Sequence, residues 1–404
     1  MNNINIIGAG ASGLFCSIIL AKKGYRVNLF EKNTKAGRKI LATGNGKCNI
    51  SNQNLSLENF HSGVKKFPNF AIDKFGYKEL ENFFKNIGLE LTTTSSSTKL
   101  FPMSLQASSV VDILYNEAIL NGVKFYFNSF ITDIKYKNNY YNISIDDKIY
   151  SSKYLIIATG SGAMKKLGSS DSGYTIAKQF KHNIVPLFAS LVQLNCKDKD
   201  IHNLSGVKVN SSVKLYIDKK EKQYIEGDVL FTSYGVSGNA ILDISRNCSK
   251  YLYHKNKVEL VIDILPLISK DKLVNMLNKR KEILKDKDIK YLLMSVINSK
   301  LIDFIYKKAN IKRKNIKELN KKDILNIVYT IKHIDIQIES TKGFESAEVV
   351  AGGVDVKDID FKTMQSKLQK GLFFCGEVLD VDGNCGGYNL HWAFSSAFIC
   401  ANSI

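Results

Sequence analysis

The stretch Asn5-Ile6-Ile7-Gly8-Ala9-Gly10-Ala11-Ser12-Gly13 decides how this chain begins to fold. Apolar residues run into a Gly-x-Gly-x-x-Gly turn, then an apolar helical pattern over 13–21, then Val27-Asn28-Leu29-Phe30-Glu31. The order is strand, turn, helix, strand, acid. Gly8 permits the tight turn, Gly10 lets backbone approach a pyrophosphate, and Gly13 lets the helix pack close to the strand. Ala11 and Ser12 open the helix, whose free N–H groups and positive dipole end suit phosphates. Glu31 stands 18 residues after Gly13, about where a carboxylate accepts from ribose hydroxyls. A glycine triplet alone is weak, but this one sits in the required structural context and predicts a bound dinucleotide.

Beyond this unit, 404 residues suggest two or three domains. Residues 1–186 alternate strand and helix patterns. Helices are expected over 77–88 and 106–121, and strands over 122–127 and 154–158. A hairpin-like pair is expected from 130–136 and 140–145. Gly37 to Asn52 is glycine-rich and polar, a loop folded over something, and its leading pair Arg38 and Lys39 suits a diphosphate. From about Pro186 strand-like alternation with glycine turns suggests a β-barrel over 187–262. Residues 269–322 read as charged helices, and strand pattern returns at 333–339. From Gly371 the first type of organisation resumes, with a buried strand into Gly376-Glu377, a glycine loop and a last helix. The expected class is therefore α/β, a Rossmann-like FAD-binding domain interrupted by an inserted β-barrel with a small helical subdomain. The boundaries are 1–188 and 341–404 for the two parts of the FAD domain, and 189–340 for the insert. Within it, 189–265 and 323–340 form the barrel and 266–322 the helical subdomain.

Three separated motifs converge on a flavin. They are the N-terminal turn with Glu31 and Lys32, Ala158-Thr159-Gly160 after an apolar strand, and Gly376-Glu377 followed by a helix near Gly387. The last helix, opening with Tyr388, Asn389 and Leu390, is expected to aim its N-terminus at the flavin pyrimidine edge, where negative charge grows on reduction. A simple NAD domain needs neither terminal segment, so FAD is the expected dinucleotide.

The seven cysteines are odd in number and scattered, with no CxxC. A disulfide framework or a metal site is not expected. No apolar run approaches a membrane span, and the chain is expected to be cytoplasmic. Net charge is +19, and residues 250–332 hold 21 Lys and Arg against 9 Asp and Glu. A local excess of this size fits either a solvated lysine-rich face or a polyanion-binding surface.

Taken together, these residues resemble the bacterial BaiN/RdsA family of NAD(P)/FAD-dependent flavoproteins over essentially the whole chain. The most specific stretches are Gly37–Asn52 (family pattern G-R-K-x-L-x-x-G-x-G-R-C-N), 231–240, Ala351-Gly352-Gly353-Val354, 363–367, 376–380 and Gly386-Gly387-Tyr388-Asn389-Leu390. Lys47 departs from the usual Arg, keeping charge but losing bidentate geometry, and Cys385 stands where Thr is common. The resemblance implies that the glycine-rich loop with Gly44, Asn45 and Gly46 belongs to the cofactor site, and that Ile131 packs near adenine. It also implies saturation of an activated C=C bond, on substrates that include uridine in ribosomal RNA and unsaturated ketosteroid-type molecules.

Fold cannot choose between these substrates, but the basic excess favours RNA, whose phosphates dominate affinity. The leading expectation is reduction of uridine to dihydrouridine in ribosomal RNA, with hydride arriving at uracil C6 and an acid protonating C5. Such a base must be unstacked or flipped. Cys48 and Tyr388 are the catalytic candidates, with Cys385 a weaker acid candidate. Tyr234 is either a donor to substrate or a barrel core residue, and His391 is expected to be structural. The alternatives are a small-molecule ene-reductase or amine oxidase, and a non-catalytic flavin-containing RNA-binding protein. No second Rossmann unit is visible. NAD(P)H as electron donor would dock transiently, and oligomeric state is not readable.

Overall fold

A computed structural model describes residues 3–94, 97–131, 133–145 and 147–404. By internal contacts the chain divides into two units. One comprises the chain up to Ala189 together with Phe344–Ile404, and the other is Ser190–Gly343.

The first unit is built on a five-stranded parallel sheet. Its order is Leu372–Phe374, Tyr154–Ile157, Asn3–Ile7, Arg26–Phe30 and Lys124–Tyr126. Near-continuous apolar strands such as Ile4–Ile7 and Leu155–Ile157 suit a sheet covered on both faces. The first strand lies at the centre and the chain winds outward in both directions, which makes a switch point between Asn3–Ile7 and Tyr154–Ile157. Both strands end there, in Gly8 and in Ala158-Thr159. The Ala11–Lys22 helix is buried along most of its length and packs against the last helix, Tyr388–Ser403. Phe15 anchors the contact, with ring centroids 5.2 Å from Phe394 and 5.4 Å from Phe75.

The second unit holds a closed barrel. Its strand order is Leu194–Cys196, Gly235–Ser237, Lys220–Thr232, Lys208–Ile217, Val258–Asp263 and Ile334–Thr341. Every pair is antiparallel, and Leu194–Cys196 closes the ring against Ile334–Thr341. Helices Lys270–Ile283, Lys290–Leu293, Ser299–Lys308 and Lys321–Lys332 make up the charged segment.

Several elements differ from the sequence reading. The expected all-strand stretch 187–262 contains the Asn239–Tyr253 helix, whose Ala240, Ile241, Ile244 and Cys248 share one core with barrel residues Val213 and Phe231. Its apolar residues follow helical spacing, but glycine turns on its N-terminal side favoured a strand reading. The Lys321–Lys332 helix runs past residue 322, so only Ile334–Thr341 joins the barrel there. Asn320 caps it, accepting from Asp323 N while Asp323 accepts from Asn320 N. Of the expected strand 130–136 only Lys135–Lys137 contributes, pairing with Tyr140–Ile145; residue 132 lies outside the described residues. The glycine-rich loop opens with a short helix, Arg38–Ala42, before a turn in which Gly44 and Asn45 are left-handed. Among the described residues no helix is long and apolar enough to cross a membrane.

Candidate functional site

A cavity opens at the switch point of the first unit. Its floor is the glycine turn, with Gly8, Ala9, Gly10, Ala11 and Ser12 lining it. Gly8 has φ +104°, and a Cβ there would meet Ala158 O at 2.5 Å. A Cβ on Gly13 would lie 1.8 Å from Gly8 O. These two glycines let turn, helix and neighbouring strand close up. Gly13 itself does not line the cavity; it is a packing glycine. No side chain caps the Ala11–Lys22 helix at Gly10, so its N-terminal dipole faces the cavity uncompensated.

Glu31, 9% exposed, reaches back across the turn. Its Oε2 accepts from Ala9 N at 2.8 Å, and its Oε1 from Asn33 N at 2.9 Å and Asn33 Nδ2 at 2.6 Å. Oε2 thus keeps a second lone pair for a hydroxyl. Lys32 donates to Ser169 O at 3.0 Å and lies 5.7 Å from the Phe130 ring centroid. Burial holds its ammonium pKa below the ordinary value. Arg38 is fixed by Asn33 Oδ1 at 3.1 Å and Lys166 O at 3.2 Å. Lys32, Arg38 and Lys39 all line the cavity, as do Ala158, Thr159, Gly160 and Ile131.

Glu377 gathers the opposite wall. Its Oε2 accepts from Lys39 Nζ at 2.7 Å, and its Oε1 from Ser161 Oγ at 2.6 Å and Val350 N at 3.0 Å. Asn389 and Leu390, in the first turn of the last helix, also line the cavity. The Asn389 amide clamps Gly383, accepting from its N and donating to its O, both at 2.8 Å. Gly376 lies behind the wall. Its N donates to Ser396 Oγ at 2.9 Å, and its O accepts from Trp392 Nε1 at 3.2 Å.

The structure does not bring every expected residue to the cavity. Gly44, Asn45, Gly46, Cys48, Gly387 and Tyr388 do not line it. Cys48 is wholly enclosed, with φ +59°, and burial pushes its thiol up to about 12. Tyr388 is buried, donates to Asn54 O at 3.2 Å and meets the Phe60 ring edge-on. Gly387 caps the last helix at φ +96°. Cys385 is partly exposed. Tyr234 lies in a turn of the second unit, partly exposed, with Lys342 Nζ 4.6 Å from its ring centroid, and so does not belong to the barrel core. His391 is fully buried between Ser51 Oγ at 2.8 Å and Phe75 O at 3.0 Å.

Sequence reasoning missed the walls supplied by Lys35, Phe130, Ser169 and Glu348, all of which line the cavity. In the structure all four lie in connecting segments, although the sequence pattern predicts that Phe130 opens a strand. Ser169 supplies a test of fit: its Oγ is buried in the wall with no hydrogen-bond partner among the described residues. Such a group requires a polar ligand or water. Together with the uncapped helix N-terminus, the cations and the Glu31 carboxylate, it fits a dinucleotide. Among the described residues no group of three or more His, Cys, Asp or Glu is arranged to hold a metal ion.

Comparison with known proteins agrees with this architecture. The family model described as HI0933-like protein Rossmann domain matches residues 2–403. A 3-dehydro-bile acid delta(4,6)-reductase of Clostridium scindens is 32% identical, covering 100% of this chain and 99% of the relative. A ribosomal RNA dihydrouridine synthase of Haemophilus influenzae is 33% identical, covering 99% and 97%. Its counterpart of the same name in Escherichia coli is 31% identical, with the same coverage. This chain is an oxidoreductase belonging to the HI0933-like Rossmann-domain family.

Proposed function

We propose that the cavity holds FAD and that the protein reduces an activated C=C bond, with uridine in ribosomal RNA as its substrate. The observation that carries the cofactor assignment is the cavity itself, walled by the N-terminal turn and by Glu377, Asn389 and Leu390 from the other end of the chain. FAD bound there supplies hydride transfer. The chain's own residues bind and orient it. Glu31 Oε2 receives a ribose hydroxyl, and the turn from Gly8 to Ser12 with Arg38 and Lys39 receives the diphosphate. Ile131 packs at the adenine end, and the first turn of the last helix stabilises charge that grows at the opposite end.

Two relatives named as ribosomal RNA dihydrouridine synthases support the RNA substrate, as does the basic excess within 250–332. The bile acid reductase, similar over its whole length, favours a second reading, a small-molecule ene-reductase. In either reading a proton must reach the substrate. We assign it to Cys48, whose thiol stays protonated at neutral pH, with Tyr388 the alternative. Neither lines the cavity, so delivery requires the loop that carries it to open toward the substrate. NAD(P)H is the proposed electron donor, the cytoplasm the proposed compartment, and 189–340 the proposed inserted domain.

The purified protein is expected to be yellow, or to become so on addition of FAD. A colourless preparation that cannot be reconstituted overturns the cofactor assignment. Nucleoside analysis of ribosomal RNA from a deletion strain is expected to lack one dihydrouridine; unchanged dihydrouridine overturns the RNA reading and leaves the small-molecule one.

A further inference from the structure

Two sets of cations stand out in the helical segment, beside others such as Lys270, Lys272 and Lys279 that are exposed at separate positions and also have no ion pair among the described residues. Lys290 pairs with Asp303 at 3.1 Å, Lys307 with Asp200 at 2.6 Å, Lys308 with Asp198 at 2.7 Å, and Arg313 with Asp323 at 3.7 Å. Lys285, Lys287, Lys312, Lys314 and Lys317 are exposed, and none has an ion pair among the described residues. The second group is gathered by the backbone. Lys317 N donates to Lys285 O at 3.0 Å, Ile316 N to Lys287 O at 3.1 Å, and Ile289 N to Lys314 O at 2.9 Å. Asp288 and Asn315 form an antiparallel bridge between the same two segments.

This ribbon is held from beneath. Ile289 and Ile316 are buried, and Tyr306 OH donates to Ile289 O at 2.7 Å. The Arg280 guanidinium donates to the carbonyls of Tyr291, Leu292 and Met294. Two of the ribbon's acids accept hydrogen bonds from N–H groups within it. Asp288 Oδ1 accepts from Lys290 N, and the Glu318 carboxylate from Asn315 Nδ2 and Lys314 N. Asp286 remains exposed beside the five lysines. Tyr291 stands at one end, 44% exposed, its ring centroid 5.2 Å from Lys287 Nζ.

We propose that this ribbon is the docking surface for a single-stranded or looped RNA segment. Its lysines contact successive phosphates, and Tyr291 stacks on one unpaired base. The inference rests on the RNA-substrate reading above and adds where the partner is gripped. Exposed lysines without ion pairs, carried on a backbone held in place and beside an exposed aromatic, suit unpaired RNA, since phosphates give affinity and a ring gives a stacking platform. An anionic membrane surface would use the same charges and an interfacial ring; RNA is favoured by the ribosomal RNA substrate in the names of two relatives.

The test uses the full-length protein and a fluorescent oligouridine, with affinity measured across a salt series. The triple variant Lys287→Gln, Lys314→Gln, Lys317→Gln is compared with an equal loss of charge at exposed lysines of the barrel hairpin, Lys219→Gln, Lys220→Gln, Lys222→Gln. The ribbon variant is expected to lower the salt slope by about 2, at roughly 0.7 per lost phosphate contact. The hairpin variant is expected to match wild type. Tyr291→Ala is expected to weaken binding about five- to hundredfold with the slope unchanged. Circular dichroism melting checks that each variant is folded. If wild type shows no salt-dependent binding, the RNA reading itself fails. If wild type binds but the ribbon and hairpin variants lose affinity equally, the ribbon is overturned while the reading stands. Loss of binding to anionic phospholipid vesicles in the ribbon variant, with oligouridine affinity unchanged, also overturns it.

Discussion

Lys39 Nζ lies 2.7 Å from Glu377 Oε2, joining residues 338 positions apart across the mouth of the cavity. The same carboxylate takes Ser161 Oγ and Val350 N, so one side chain just after Leu372–Phe374 ties together the glycine-rich segment, the loop after Tyr154–Ile157 and the strand Val349–Val354. Neither partner is strongly exposed, at 28% for Lys39 and 17% for Glu377. Removing one partner therefore costs more than at a surface ion pair, because the other is left partly buried and unpaired.

Glu377→Ala leaves an ammonium, a hydroxyl and a backbone N–H without their acceptor. The expected cost is about 1–3 kcal/mol, read as a lower melting temperature of the cofactor-free protein. Glu377→Gln keeps an acceptor oxygen for Ser161 and Val350 and is expected to cost less. Equal melting of both variants and wild type would mean the node does not hold the segments together.

The glycines of the first turn separate fold from binding. Gly13→Ala puts a Cβ 1.8 Å from Gly8 O, a clash with backbone that only movement of the helix relieves. Severe destabilisation, above about 4 kcal/mol, is expected. Gly10→Ala meets nothing within 4 Å, and Gly10 lines the cavity. Its stability is expected to stay within about 0.5 kcal/mol of wild type, while FAD affinity falls at least about tenfold because the methyl takes space needed for close approach. Melting temperature without cofactor and a flavin titration read the two effects independently.

The sequence carried the parts of the site that depend on backbone geometry. Gly8 and Gly13 need close approach, Glu31 must end its strand, and these requirements leave residue identities at fixed spacing. It did not carry Ser169, Phe130 or Glu348, because a wall built from a connecting segment needs only to be near. Tertiary placement alone decides that. The Asn239–Tyr253 helix escapes for a different reason: its apolar residues follow helical spacing, but Gly235 and Gly238 just before it read as strand-and-turn punctuation.

His391 makes stability depend on pH. Phe75 O can only accept, so Nε2 carries the proton and Nδ1 accepts from Ser51 Oγ. Burial lowers the imidazole pKa from 6.5 to about 4. Above pH 6.5 the ring is neutral in the folded and unfolded chains, and the full contribution is present. Between 6.5 and about 4 the unfolded chain binds a proton that the folded chain refuses, so stability falls with pH. The loss amounts to about 3 kcal/mol by linkage. His391→Gln is expected to be less stable at neutral pH and to lose this step. A wild-type melting temperature flat through the window would contradict the buried neutral ring.

Cys48→Ala tests the proton donor. The thiol packs in full enclosure beside Thr43, and burial keeps it protonated with a pKa of about 12. It lines no part of the cavity, so FAD is expected to stay bound in the variant with an unchanged visible spectrum. If the loop carries the thiol to the substrate, loss of a positioned acid slows substrate reduction about 100-fold or more. Cys48→Ser, which restores a transferable proton in nearly the same volume, is then expected to recover part of the rate. The measurement is single-turnover reoxidation of the reduced flavin by substrate, which isolates this step from reductant binding. An alanine variant as fast as wild type would make Cys48 a packing residue and shift the role to Tyr388, whose hydroxyl must first leave Asn54 O.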